Sequence, residues 1–195
     1  MAALTDDPFR QFREWFGEAE RAGVVAPEAM TLATAAADGA PSARMVLLKG
    51  ADEDGFFFYT GYGSRKGGEL AENPRAALVF YWQPVGKQVR VEGPVESVSE
   101  AESAAYFATR PRGSQLAAWA SEQSRPLGSR EALERRYAEL EQEYEGRDVP
   151  LPPHWGGYRL RPEAIEFWEH RENRLHDRVR YTRAREGWQA ERLSP

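Results

Sequence analysis

The chain has 195 residues, 41% of them hydrophobic and 12% aromatic, which is enough for one domain with a real core and too apolar for a disordered chain. Its 26 Lys and Arg against 31 Asp and Glu leave a net charge of −5, which argues against general affinity for a nucleic-acid backbone. There is no Cys, so disulfides, thiolate metal sites and a Cys nucleophile are excluded, as suits a cytoplasmic location. No apolar run approaches the roughly 18 residues of a membrane span, and the opening MAALTDDPFRQF lacks the basic-then-apolar order of a signal peptide.

The first predicted element is an amphipathic helix over residues 7–22, where Phe9, Phe12, Trp15, Phe16 and Ala19 recur at helical spacing behind a capping Asp6 or Asp7. Strands are expected at Ala29 to Ala35, Ser42 to Leu48, Gly55 to Thr60 and Ala76 to Trp82. The first two form a hairpin about Asp38-Gly39-Ala40-Pro41, a second turn covers Ala51 to Gly55, and a short helix at about Lys66 to Glu72 stops at Asn73-Pro74. A fifth strand, Gln88 to Val98, carries Gly93-Pro94, the mark of a bulge or bend. Helices follow at Ser99 to Thr109 with a capping box, at Ser114 to Ser121, and at Ser129 to Glu145 with Leu133, Tyr137, Leu140 and Tyr144 on one face. Past the Pro-rich link 149–153, strands are expected near Tyr158 to Arg161, Ala164 to Trp168, Arg178 to Arg183 and Trp188 to Leu193. Strands joined by short turns, without βαβ alternation, predict a mainly β fold: an antiparallel barrel with peripheral helices.

Four stretches carry residue types that suit a flat, phosphorylated ligand. In Arg44-Met45-Val46-Leu47-Leu48-Lys49 a cation stands at each end of an apolar strand, which is also how an ordinary solvated strand end reads. Tyr59-Thr60-Gly61-Tyr62-Gly63-Ser64-Arg65-Lys66 runs from a strand through a Gly-containing turn into a helix, so free N–H groups, a hydroxyl and two cations meet at one anion site. It is neither a Walker A loop nor a GxGxxG fingerprint. Tyr106, Arg110, Arg112 and Ser114 around a Pro break offer a second phosphate clamp. The run Trp168 to Arg178 packs Trp168, His170, Arg171, Arg174, His176 and Arg178 together, a planar face beside anion and hydrogen-bonding groups. No metal-ligand spacing and no GxSxG elbow is present, so no metal is expected.

In order along the chain, MTLATAAADGAPSARMVLLK, GFFFYTGYGSRKGGELAENPRAALVFYW, KQVRVEGPVE, YFATRPRGSQLAAWASEQS, PLPPHWGGYRLRPEAIEFW, RLHDR and a closing W-x-x-x-R-L-x-P form a set that resembles the pyridoxine/pyridoxamine 5′-phosphate oxidases. The resemblance covers nearly the whole chain from Asp7 onward. It implies an FMN-binding split β-barrel, antiparallel and of Greek-key type, as a single domain over residues 1–195, with residues 154–195 as a dimerisation and active-site section. It implies a homodimer with FMN between subunits. FMN would be held by Arg44, Tyr59, Thr60, Arg65, Lys66 and Ser124, bordered by the backbone of Met45, Val46, Leu47 and Leu48 and by Gln88 and Gln123, and completed by Trp168 and Arg178. Lys49 would serve both ligands, holding substrate phosphate with Tyr106, Arg110 and Ser114. Arg174, Leu175 and His176 would lie at the substrate ring, Arg174 and His176 as the catalytic pair. The implied reaction converts pyridoxamine or pyridoxine 5′-phosphate to pyridoxal 5′-phosphate with O2, releasing H2O2.

The chain departs from the family pattern in having only Met1 to Asp6 before the first helix, where a basic, Tyr-containing segment is usual. It also has Ala26 where an acidic residue is common, and Trp168-Glu169-His170 in place of Trp-Gln-Gly. Two alternatives stand beside the main reading: a phenazine-type FMN oxidase and a non-catalytic carrier or sensor of FMN or pyridoxal phosphate. Lys49 and Arg110-Pro111-Arg112-Gly113-Ser114-Gln115 argue against the first, Arg174 and His176 against the second.

Overall fold

A computed structural model describes residues 5–195, so the first four residues of the opening stretch read for a signal peptide lie outside it. Helix α1 (Pro8–Arg21) starts where Asp7 accepts the Phe9 N–H and Pro8 supplies a preset first-turn φ. Its apolar stripe lies on the sheet: the Phe12 ring is 5.0 Å from Phe56 and 5.1 Å from Phe80, both fully buried. Each such side chain contributes about 1.5–3 kcal/mol on burial.

Strands β1 (Ala29–Ala35) and β2 (Pro41–Leu47) form the expected hairpin, with Ala29 opposite Leu47 and Ala35 opposite Pro41. The turn expected at 51–55 holds a short strand, β3 (Gly50–Asp52), which folds onto β4 (Gly55–Gly61). After α2 (Arg65–Glu72), β5 (Arg75–Trp82) pairs with β1 on one side and β6 (Lys87–Ser97) on the other. Later come β7 (Trp155–Leu160), β8 (Ala164–Glu169), β9 (Asp177–Arg183) and β10 (Trp188–Arg192), all antiparallel to their partners.

Strand β6 makes the barrel. Its first half, to Glu92, pairs with β8, and from Val95 it pairs with β7. Gly93 sits at the change of partner, where a Cβ would stand 2.0 Å from the Arg161 carbonyl oxygen; only glycine allows that approach. The register with β5 runs unbroken from Trp82–Lys87 to Arg75–Pro94, so Gly93-Pro94 is a bend between two partners and not a bulge. One sheet therefore runs β10-β9-β8-β6-β5-β1-β2 and the other continues through β7 and β4 to β3. The curled sheet stays split between β2 and β4, bridged there by the Lys49 N–H donating to the Phe57 carbonyl at 2.8 Å.

Strand β2 is accordingly an edge strand, with Met45 63% and Leu47 43% exposed. The sequence had suggested a strand buried between two cations. Met45 and Leu47 instead face outward because, among the described residues, no strand or helix covers that side, while Val46 packs partly against the core. Leu48 does turn inward, into the core. Helices α3 (Glu100–Thr109), α4 (Arg112–Ala120) and α5 (Arg130–Glu143) pack around Phe107, Leu116, Leu140 and Trp155 as a second, smaller core. α3 opens with the expected Ser99/Glu102 capping box, whereas α4 begins two residues earlier than predicted. Among the described residues no helix is long and apolar enough to cross a membrane.

Candidate active site

The split between β2 and β4 opens into a cleft of about 810 Å³, within the size range of ligand pockets. β2 supplies Arg44, Met45, Val46 and Leu47 to its wall, and Lys49 follows. β4 supplies Tyr59 and Thr60, and α2 supplies Arg65 and Lys66. Tyr106, Arg110 and Ser114 come from the α3–α4 corner, and Gln123 and Ser124 from the segment after α4. Fourteen residues singled out in the sequence thus meet in one place, and no lining residue is a carboxylate. An acidic chain has built a cationic cleft.

Two groups of cationic and hydrogen-bonding side chains stand in it. At the start of α2, Ser64 caps the helix and its hydroxyl receives the Gly67 N–H at 3.3 Å; a Cβ on Gly67 would lie 2.1 Å from the Tyr62 carbonyl oxygen. The Lys66 ammonium is buried and donates to the Thr60 and Ser64 hydroxyls at 3.0 and 3.3 Å. Burial, and then the neighbouring Arg44 charge, push its pKa below the ordinary lysine value. Beneath the cleft lies Glu69, a buried carboxylate that accepts Arg65 Nε at 2.9 Å, Arg44 Nη2 at 3.2 Å and the Ser42 and Thr34 hydroxyls. Burial alone would raise its pKa, but the four hydrogen bonds outweigh it and bring the carboxyl down to about 2. Three cations against one permanent carboxylate leave surplus positive charge beside a helix N-terminus, which suits a phosphate dianion.

The second group lies at the α3 end. Tyr106, Tyr59 and Trp155 stack, with Tyr59 3.9 Å from Tyr106 and 5.5 Å from Trp155, and the Arg110 guanidinium lies 4.6 Å over the Trp155 ring. Arg110 Nη1 is buried without a hydrogen-bond partner, and its desolvation lowers the Arg110 pKa. A buried cationic donor left unpaired is costly, and an anion in the cleft would satisfy it. Gln123 accepts Thr60 Oγ1 at 2.9 Å and the Gly61 N–H at 3.1 Å, pinning the segment that carries Ser124, itself in a left-handed conformation at φ 70°. Arg112, grouped with Arg110 in the sequence, is elsewhere: it caps α5 by donating to the Tyr144 and Arg147 carbonyls.

Leu48, Gln88, Trp168, Arg174, Leu175, His176 and Arg178 do not line the cleft. Gln88, Trp168 and Arg178 are register partners in one row across β6, β8 and β9. Arg178 donates to Glu166 at 2.9 Å and to the Ser194 carbonyl at 2.8 Å. The Trp168 ring is 4.5 Å from His176 and 6.2 Å from His170, while Leu175 is 69% exposed. One chain therefore presents two separate groups: a cationic cleft, and an aromatic–imidazole row at the β8–β9 hairpin. Trp155 and Ser42, which line the cleft, and Glu69 beneath it were not singled out in the sequence. The Arg65–Glu69 spacing of one helical turn was the available signal for the last. Nothing in the pattern around Trp155 marked it.

The family model described as pyridoxamine 5′-phosphate oxidase matches residues 16–144, and that described as the pyridoxine 5′-phosphate oxidase C-terminal dimerisation region matches residues 155–195. The chain belongs to the pyridoxamine 5′-phosphate oxidase family. Relatives named pyridoxine/pyridoxamine 5′-phosphate oxidase include one from Rubrobacter xylanophilus, 66% identical over 97% of this chain and 87% of its own length. Another, from Cupriavidus metallidurans, is 58% identical over 98% of this chain and 91% of its own. Among solved structures, PhzG from Burkholderia lata 383, in complex with tetrahydrophenazine-1-carboxylic acid, superposes with a TM-score of 0.93 at 36% identity, covering 98% of this chain and 94% of that one. A pyridoxamine 5′-phosphate oxidase-related, FMN binding protein from Nostoc punctiforme shares the fold at a TM-score of 0.76 and 20% identity, covering 99% of both chains. This member of the family is an oxidase whose expected cofactor is FMN, and the cationic cleft has the donors that a phosphorylated cofactor needs.

Proposed function

We propose that the chain is an FMN-dependent oxidase that converts pyridoxamine 5′-phosphate and pyridoxine 5′-phosphate to pyridoxal 5′-phosphate with O2, releasing H2O2 and, from the amine substrate and water, ammonia. The observation that carries this reading is the presence of two separate groups of cationic and hydrogen-bonding side chains in one cleft. Arg44, Arg65 and Lys66 stand in the first, Tyr106, Ser114 and the unpaired Arg110 Nη1 in the second, and Lys49 lines the same cleft. Two phosphorylated molecules held side by side would use both.

In this reading Arg44, Arg65, Lys66, Tyr59, Thr60 and Ser124 hold FMN, with the Met45–Leu48 backbone, Gln88, Gln123, Trp168 and Arg178 along its length. When bound, FMN supplies the two-electron acceptor for the substrate's C4′ carbon and passes the electrons to O2. Lys49, Tyr106, Arg110 and Ser114 grip the substrate phosphate, a part of the molecule remote from the reacting carbon, so that its binding energy orients the ring. Arg174 stabilises developing negative charge and His176 hydrogen-bonds the ring substituents, with Leu175 between them. Because the cleft and the Trp168 row lie apart in one chain, the complete site is formed by two copies, each giving its cleft to the hairpin of the other. The matched dimerisation region supports that homodimer.

The PhzG likeness favours a second reading, oxidation of a dihydrophenazine acid. Such a substrate has a carboxylate and no phosphate, and would offer Lys49 and Arg110 a single negative charge in place of a phosphate dianion. Mixing FMN-loaded protein anaerobically with pyridoxamine 5′-phosphate should bleach the flavin absorbance, and admitting oxygen should yield pyridoxal 5′-phosphate and peroxide. Bleaching only by a dihydrophenazine acid would transfer the assignment to the second reading, and no bleaching by either would leave a binding protein.

A further inference from the structure

The loop joining β8 to β9 carries Arg174 and His176 and is built in an uncomfortable way. Asn173 and Arg174 are consecutive left-handed residues, at φ 55° and 63°. Asparagine tolerates that region; arginine, with a full side chain, pays for it and stays there only when its surroundings insist. The loop is closed by Glu169 directly opposite Asp177, two carboxylates facing each other in the last register pair of the hairpin. Alone, that pair would repel and splay the loop open.

Arg171 answers both difficulties. Its Nη2 donates to Glu169 at 2.8 Å and its Nε to Asp177 at 2.8 Å, so one guanidinium bridges the two carboxylates at the hairpin mouth. Its backbone N–H donates to His176 Nδ1 at 3.2 Å. An Nδ1 that accepts leaves the proton of the neutral ring on Nε2, so the loop presents His176 as an Nε2–H donor. Among the described residues Arg174 makes no ion pair or side-chain hydrogen bond that would hold it independently; its placement comes from the backbone of this loop.

We propose that Arg171 is a positioning residue: by clamping Glu169 and Asp177 it holds Arg174 in its left-handed conformation and fixes the His176 tautomer before substrate arrives. The proposal rests on the roles given to Arg174 and His176 above, and its first test does not need them. The three side chains of the clamp are between 25% and 40% exposed, so the clamp adds little to global stability. Its effect is on geometry, where small displacements of oriented groups are expensive.

The experiment uses the FMN-loaded protein and the variants Arg171→Met, Arg171→Lys and Glu169→Gln. With three histidines in the chain, long-range nitrogen–proton NMR resolves each imidazole, and substitution of His154 and His170 assigns them. The wild type is expected to show His176 as the Nε2–H tautomer, and Arg171→Met a mixture of tautomers. With pyridoxamine 5′-phosphate, kcat/KM should fall about ten- to a hundredfold in Arg171→Met. Tm should stay within about 3 °C, with FMN affinity unchanged. Arg171→Lys, which reaches one carboxylate at a time, should recover part of the loss, and Glu169→Gln should resemble it. An unchanged His176 tautomer in Arg171→Met overturns the proposal, and so does a loss of Tm that accounts for the loss of activity. If the protein oxidises no vitamer, the tautomer measurement still decides the clamp, so its failure is separable from failure of the assigned reaction. If Arg171→Met does not fold, a wild-type tautomer in both remaining variants overturns it.

Discussion

In the cleft, Arg44 and Arg65 are tied to Glu69, a carboxylate that is itself buried and held by two further hydroxyls, and Lys66 is sunk beneath the surface between Thr60 and Ser64. At the β8–β9 hairpin, Arg174 stands in solvent on left-handed backbone beside the exposed Leu175, and the charges around them are partly exposed. The cleft is anchored from regular elements, whose burial makes it stiff and expensive to rearrange. The hairpin is a surface loop held by charge, with Arg171 between Glu169 and Asp177. In the proposed reading Arg65 in the cleft serves the cofactor, and Arg174 on the hairpin serves the substrate ring.

The largest effect that could break this division is on turnover. Arg174→Ala should lower kcat about a hundred- to a thousandfold, with FMN affinity nearly unchanged by fluorescence titration. Arg65→Ala should do the reverse, weakening FMN about ten- to a hundredfold while kcat at saturating FMN stays close to wild type. Equal effects of the two would erase the distinction. Next, Arg110→Ala should raise KM for pyridoxamine 5′-phosphate about tenfold or more, without changing FMN affinity in the absence of substrate.

Smaller effects should appear with pH. Because the Lys66 pKa is lowered from 10.5, its charge is lost at a lower pH than an ordinary lysine's. FMN affinity should therefore begin to fall on the alkaline side below pH 10.5, and Lys66→Arg should move that edge upward. Glu69 works at the other end. Its folded pKa of about 2 lies below the ordinary 4.5, so its contribution to stability is present above pH 4.5 and is lost as pH falls from there toward 2. Acid titration of Glu69→Gln should lack that part of the wild-type loss. A wild-type profile in that variant would mean that Glu69 does not hold the cations.

Most of the barrel was legible because its strands are short, apolar and separated by unambiguous turns; β1 matches its predicted bounds, Ala29 to Ala35, to the residue. Strand β3 was hidden because Gly50-Ala51-Asp52 reads as turn chemistry and becomes a strand only through pairing with β4. The cleft was legible in pieces, since Arg65-Lys66 at a helix start and Arg110 beside Tyr106 are local patterns with a physical meaning. That these pieces share one cleft depends on strand order, which periodicity does not encode. Arg112 shows the opposite failure. Two residues from Arg110, it turns to the end of α5, because a helix C-terminus offers unsatisfied carbonyls. That Trp168 and Arg44 belong to one site is implied by the resemblance alone, since no spacing along the chain links them.

The central claim, that each complete site joins the cleft of one copy to the hairpin of another, is tested most directly by complementation. Arg65→Ala and Arg174→Ala proteins, each nearly inactive at limiting FMN, are mixed, unfolded and refolded together, and assayed for pyridoxal 5′-phosphate formation. Random pairing gives half heterodimers, each with one intact site, so activity should return to about a quarter of the wild-type value. A mixture no more active than its two parents would contradict the shared site.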